Sequence, residues 1–151
     1  MRQGTVVIAA GGGGIPVTRR DGELSGVEAV VDKDLASATL ARDVGADTLV
    51  ILTDIEKVAV NFGTPEQRFI DHMTVMEAKK YLEAGQFPAG SMGPKIEAAI
   101  RFLSPRTETS LDKFVDAGTK PSRSQLRVII TSLKDAPEAA QGRTGTVITP
   151  D

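Results

Sequence analysis

No cysteine occurs in this 151-residue chain, which removes disulfides, thiolate metal sites and cysteine nucleophiles from its chemistry. Tryptophan is absent too, aromatic residues make up only 4 %, and His72 is the single histidine. A lone histidine has no second ligand or acid–base partner, so His72 reads as a surface or structural residue. Charge of one sign is also lacking: 18 Lys and Arg are scattered among 20 Asp and Glu, for a net charge of −2. No basic stripe results, and a nucleic-acid partner is not expected. The apolar runs are strand-sized, none approaches the ~20 residues of a membrane-crossing helix, and no charged-then-apolar leader is evident. The expected setting is therefore cytoplasmic, with no membrane partner. A chain of this length can bury roughly 68–70 % of its unfolded surface, so one core is the default.

What is present points to phosphate. Pro88-Ala89-Gly90-Ser91 leads into Met92-Gly93-Pro94-Lys95, and an amphipathic helix pattern follows at once. Small residues let the backbone approach an anion, Pro94 presets the first helical turn, and Lys95 brings positive charge to the free N–H groups of a helix start. Ile96, Ala99, Ile100 and Leu103 then recur at helical spacing, giving that helix one core-facing side. The alternative is an ordinary glycine-proline loop with Lys95 in solvent. A second stretch, Gly26 to Ala38, sets Lys33 between Asp32 and Asp34 where an apolar strand, Val27–Val31, gives way to a helix. Asp32 can cap that helix, and Asp34 can hold the Lys33 ammonium, which can stabilise charge on a transferred phosphoryl group. The plainer reading is a capped helix with a charged first turn.

Along the chain, Thr5–Ala10 reads as a buried strand ending in the four glycines Gly11–Gly14, a turn that lets a ligand or another backbone approach closely. That run lacks the Gly-Lys-Ser/Thr ending of a P-loop. Asp21-Gly22 marks a hairpin between Val17–Arg19 and Val27–Val31. The Asp32-capped helix runs to near Gly45, Thr48–Leu52 is a buried strand, and Thr74–Glu83 is a helix. Arg127–Thr131 and Gly145–Thr149 read as further strands, with a short helix over Asp135–Gln141. This alternation predicts an α/β fold of three layers, a mainly parallel sheet with helices on both faces. Thr53 and Asp54, at the end of the Thr48–Leu52 strand, stand where such sheets meet nucleotides. Glu66, Asp71, Glu77 and Glu83 read as a solvated face rather than a metal cluster.

Together the segments 6–17, 26–41, 46–67, 84–103 and 128–148 resemble carbamate kinase, of the amino-acid kinase superfamily, over most of the chain and in order. The resemblance implies that residues 1–151 form a C-terminal nucleotide-binding domain. It also implies reversible phosphoryl transfer between ATP and carbamate, with carbamoyl phosphate and ADP giving ATP in arginine metabolism. Mg²⁺ would arrive with the nucleotide. Lys33 and Lys95, with Asp34 holding Lys33, are the implied catalytic groups, and Gly90, Ser91, Met92 and Gly93 the phosphate loop. Thr53, Asp54 and the loop through Lys57, Asn61, Phe62 and Gly63 would lie near the adenosine, Phe62 standing where the family commonly has Tyr. A core position for Phe62 is the alternative. The family's N-terminal glycine-glycine-asparagine turn has no counterpart here, so the expectation is a nucleotide-binding half. Three accounts stay open: a separate chain supplying the other half, a truncated product, or a non-catalytic nucleotide-binding module. A homo-oligomer is also expected. Residues 104–126, rich in Ser, Thr, Lys, Arg and Pro, read as an insertion in which Leu111, Phe114 and Val115 can form one helical turn.

Overall fold

The computed structural model describes residues 4–105 and 121–151. Its first regular element is the hairpin β1 (Val17–Arg20) and β2 (Glu23–Gly26), closed by Asp21 and Gly22. Both turn residues have positive φ, 50° and 88°, as a tight two-residue turn demands. Helix α1 (Lys33–Asp43) is capped by the Asp32 carboxylate, which accepts from the amides of Asp34 and Leu35, and Gly45 ends it in a left-handed conformation. Strand β3 (Thr48–Thr53) follows, then the short strands β4 (Ala59–Val60), β5 (Arg68–Phe69) and β6 (His72–Thr74). Helix α2 (Val75–Glu83) begins with a full capping box between Thr74 and Glu77. Helix α3 (Met92–Leu103), strand β7 (Arg127–Ser132), helix α4 (Ala136–Ala140) and strand β8 (Thr146–Thr149) complete the order.

The main sheet has the order β3-β7-β8-β6. Two of its pairings are parallel, β3 with β7 and β6 with β8, while β7 and β8 run antiparallel in the middle. Every residue of β7 from Val128 to Ser132 is buried, and since successive side chains point to opposite sides, both faces of the sheet are covered there. Helix α3 supplies Ile96, Ala99, Phe102 and Leu103 to a core shared with Ile51, Val128, Ile130 and Ile148, and it packs against both α1 and α2. On α1 the buried residues are Asp34 and Ala38, one turn apart on the face toward α3.

Two expected strands are not strands. Thr5–Ala10 takes no regular structure and lies exposed, with Val6 at 90 % and Ile8 at 99 % of full accessibility. Val27–Val31 is likewise irregular, bent by a bond from the Ala29 amide to the Val27 carbonyl, and β1 pairs with Glu23–Gly26 instead. A run of apolar residues states a capacity for burial, but a strand also needs a ladder partner. The β3 side of the main sheet carries no further strand among the described residues, and Val50 and Leu52 on β3 remain partly exposed. The glycine turn does permit a close approach: a Cβ on Gly13 would sit 2.7 Å from the Val31 carbonyl oxygen, at a φ of +123°. In the expected insertion, the turn at Leu111, Phe114 and Val115 lies outside the described residues. Within residues 121–126, Arg123–Gln125 form a 3₁₀ turn and Leu126 packs on the core.

Candidate functional site

Helices α1 and α3 pack together, and their N-terminal turns come side by side. There Asp34 Oδ2 lies 3.0 Å from Lys95 Nζ and 3.6 Å from Lys33 Nζ. The sequence led to an Asp34 that holds Lys33; the closer partner is Lys95, 61 positions away in the chain. Side-chain exposure separates the three: 11 % for Asp34 and 12 % for Lys95, against 61 % for Lys33. Lys95 is therefore not a solvent lysine. One carboxylate orients two ammonium groups, of which Lys33 stays open to a ligand. The Asp32 carboxylate at the same helix start is turned to the Asp34 and Leu35 amides, so the exposed Lys33 ammonium is the group this cluster presents to an anion.

The loop before α3 differs in detail from the expectation of free amides. The Gly93 amide donates to the Pro88 carbonyl at 2.9 Å, and Pro94 has no N–H. Two positions of the first turn thus offer a ligand no donor. A Cβ at Gly93 would lie 3.1 Å from the Pro88 oxygen, a tight contact that the loop would have to yield to by a few tenths of an ångström. Ser91 makes no capping bond with its side chain, which leaves its hydroxyl for another partner. Gly90 is exposed on the same loop.

Beside this loop is a cavity of about 210 Å³. Thr53, Asp54, Lys57, Phe62, Ser91 and Met92, all singled out from the sequence, line it. Gly90 and Gly93 do not. Thr53 donates to Asp54 Oδ1 at 3.0 Å at the end of β3. Lys57 is bound to Asp71 at 2.6 Å, and this hydrogen bond, helped by the Asp71 and Glu56 charges and opposed by desolvation, raises the lysine above its ordinary range. Phe62 is not a core residue: it is 68 % exposed, at the cavity rim. Lining residues missed by the sequence reading include Phe69, Gln86 and Phe87. Gln86-Phe87 directly precede Pro88, so adjacency to the glycine loop was the available signal; nothing local marks Phe69. Phe87 is buried and meets Tyr81 edge to face, their ring centres 6.4 Å apart.

Asp71, Glu77 and the histidine have structural partners. Asp71 pairs with Lys57, Glu77 closes the α2 capping box, and His72 Nε2 lies 3.1 Å from Thr149 Oγ1. Among the described residues no three His, Asp or Glu side chains gather as a metal cluster, and no helix is long and apolar enough to cross a membrane.

A lysine–carboxylate–lysine cluster and an aromatic-rimmed cavity thus stand around the start of one helix on an α/β sheet, an arrangement whose chemistry suits a phosphorylated ligand. The profile of the amino acid kinase family matches residues 1–108, and the chain belongs to that family. It is 45 % identical over 148 residues to the carbamate kinase of Thermococcus kodakarensis, covering 98 % of this chain and 41 % of that protein. It is 44 % identical over 145 residues to the carbamate kinase-like protein YqeA of Escherichia coli, covering 96 % of this chain and 41 % of the relative. Among solved structures, carbamate kinase from Giardia lamblia bound to AMP-PNP superposes with a TM-score of 0.75 at 38 % identity, over 93 % of this chain and 43 % of that one. The chain thus spans about two-fifths of the length of these relatives.

Proposed function

We propose that this chain is the nucleotide-binding portion of a carbamate kinase-like phosphotransferase, which moves a phosphoryl group between ATP and carbamate by way of carbamoyl phosphate. The observation that carries the reading is the Lys33–Asp34–Lys95 cluster at the first turns of α1 and α3, the α3 turn being the one whose Met92 lines the cavity; the three cluster residues themselves do not line it. The similarity to carbamate kinases, one of them bound to AMP-PNP, supports it. Adenosine occupies the cavity between Phe62 and the Thr53–Asp54 end of β3, and its phosphates run past Ser91 and the glycine loop toward the lysines. In the ATP-forming direction a terminal oxygen of ADP attacks the phosphorus of carbamoyl phosphate, the bond from phosphorus to the carbamate oxygen breaks, and carbamate leaves. Lys95 holds the nucleotide's terminal phosphate. Lys33, the exposed member, meets the transferred group, and Asp34 fixes both ammonium groups before the reaction begins. Mg²⁺ enters as part of the nucleotide substrate, through phosphate oxygens and water.

The acceptor side requires protein beyond residues 1–151. The exposed Val6, Ile8, Val50 and Leu52 favour a partner carrying the remainder of a carbamate kinase, as a separate chain or a continuous one, over a free-standing nucleotide-binding module. A cytoplasmic, homo-oligomeric enzyme of arginine metabolism fits this reading. Titration with ADP–Mg by calorimetry tests it, joined to an assay of ATP formation from carbamoyl phosphate and ADP, with and without the N-terminal portion of a relative. Lys95→Ala should cost about 1–3 kcal/mol of ADP binding, the scale of a charge-assisted hydrogen bond. Unchanged affinity in a folded variant contradicts the assignment.

A further inference from the structure

The backbone leaves β4 at Val60 and enters a left-handed turn, with φ of 53° at Asn61 and 77° at Gly63. Past the end of the β4–β5 ladder, the Asn61 amide needs an acceptor from elsewhere, and it donates to Gln86 Oε1 at 2.7 Å. The other hydrogen bonds of Asn61, Gly63 and Thr64 stay within residues 61–67, among them Gly63 N to Gln67 Oε1 at 2.9 Å and Thr64 Oγ1 to the Asn61 carbonyl at 2.8 Å. Local bonds give the turn its shape; Gln86 joins it to the link between α2 and α3. The Gln86 backbone is itself anchored, the residue half-buried and its backbone N–H donating to the Tyr81 carbonyl at 3.0 Å. A backbone N–H can only donate, so the side-chain oxygen of Gln86 must face the turn. Phe62 is the residue this turn presents, at the rim of the cavity that Gln86 also lines.

We infer that Gln86 is a positioning residue for nucleotide recognition: by accepting from the Asn61 amide it fixes Phe62 as a wall for the flat, aromatic base of the nucleotide. The inference rests on the nucleotide reading of the cavity. It places base recognition partly under the control of a side chain 25 positions downstream of the turn, and an aromatic wall held in place loses less entropy on binding than a mobile one.

Gln86→Leu removes the acceptor at similar volume, and Gln86→Glu keeps an acceptor oxygen. Both are compared with the unmodified chain in calorimetric titrations with ADP–Mg and with Mg-pyrophosphate, which has no base, and in amide exchange of Asn61 by NMR. Gln86→Leu should weaken ADP roughly fivefold to tenfold while pyrophosphate stays within about twofold, the loss expected for one net hydrogen bond. The Asn61 amide should exchange faster, and Gln86→Glu should restore both ADP affinity and protection. The inference is overturned if Gln86→Leu releases the Asn61 amide but binds ADP like the unmodified chain, if ADP and pyrophosphate weaken equally, or if Gln86→Glu behaves like Gln86→Leu. If the unmodified chain binds no ADP while Asn61 remains protected, the nucleotide reading itself has failed and takes the inference with it.

Discussion

Replacing Asp34 by Asn should destabilise the protein more than replacing either lysine it holds. The substitution keeps the shape and removes the charge, leaving Lys95 unpaired at 12 % exposure and Lys33 without its ion-pair partner. Removing one partner of a wholly buried pair costs about 3–5 kcal/mol; with about a tenth of each side chain still in water here, about 2–4 kcal/mol is expected. Lys95→Met should cost less, roughly 1–2 kcal/mol, since Asp34 keeps Lys33 as a counter-charge. Lys33→Met should fall within about 0–1 kcal/mol, the range of an exposed pair. Urea unfolding followed by far-ultraviolet circular dichroism measures all three, and it suits a chain without tryptophan. A shift under about 0.5 kcal/mol for Asp34→Asn, or a Lys33→Met variant as unstable as Asp34→Asn, would refute the argument that one carboxylate organises a buried cluster.

Two buried threonines of the main sheet should respond oppositely to the same change. Thr146 Oγ1 accepts from the Val58 amide and donates to the Ile70 carbonyl, so Thr146→Val orphans two buried backbone groups and should cost about 2–4 kcal/mol by urea unfolding. Thr131 Oγ1 is buried with no partner among the described residues, so Thr131→Val should be neutral or stabilising by up to about 1 kcal/mol; an equal loss for both would show that the hydroxyl's partners do not decide. The Lys57–Asp71 pair sets a pH dependence. Because the folded state raises the lysine, its contribution is complete below the ordinary lysine range and is lost as pH rises through the raised value. NMR titration should find Lys57 deprotonating later than it does in an Asp71→Asn variant, and coincident curves would exclude the pair in solution.

The elements legible in the sequence were those whose cause is local. Asp21-Gly22 dictates the hairpin turn, Asp32 caps α1, and the spacing of Ile96, Ala99 and Leu103 fixes the buried face of α3. Thr5–Ala10 and Val27–Val31 misled because hydrophobicity records what a segment could bury, while strand formation depends on a neighbour far away in the chain. Strands β4, β5 and β6 are only two or three residues long, too short for a periodicity. In the site, Lys33, Asp34 and Lys95 were marked by motif, but the Asp34–Lys95 contact follows from helix packing. Gln86 reaches the cavity from the link next to the glycine loop, a signal that adjacency offered, while Phe69 arrives on the two-residue strand β5, which no local pattern marks.

The account's central claim is that one nucleotide site spans the cavity and the start of α3. Titrating the ¹⁵N-labelled chain with ADP–Mg and mapping amide shifts tests it most directly. The account predicts saturable shifts at Thr53, Asp54, Phe62, Gly63 and the non-proline residues from Gln86 to Lys95, with those near Lys95 reduced in Lys95→Ala. Shifts confined to the separate apolar hollow around Phe102, Pro105 and Leu126, or no shifts at millimolar ADP–Mg, would contradict it.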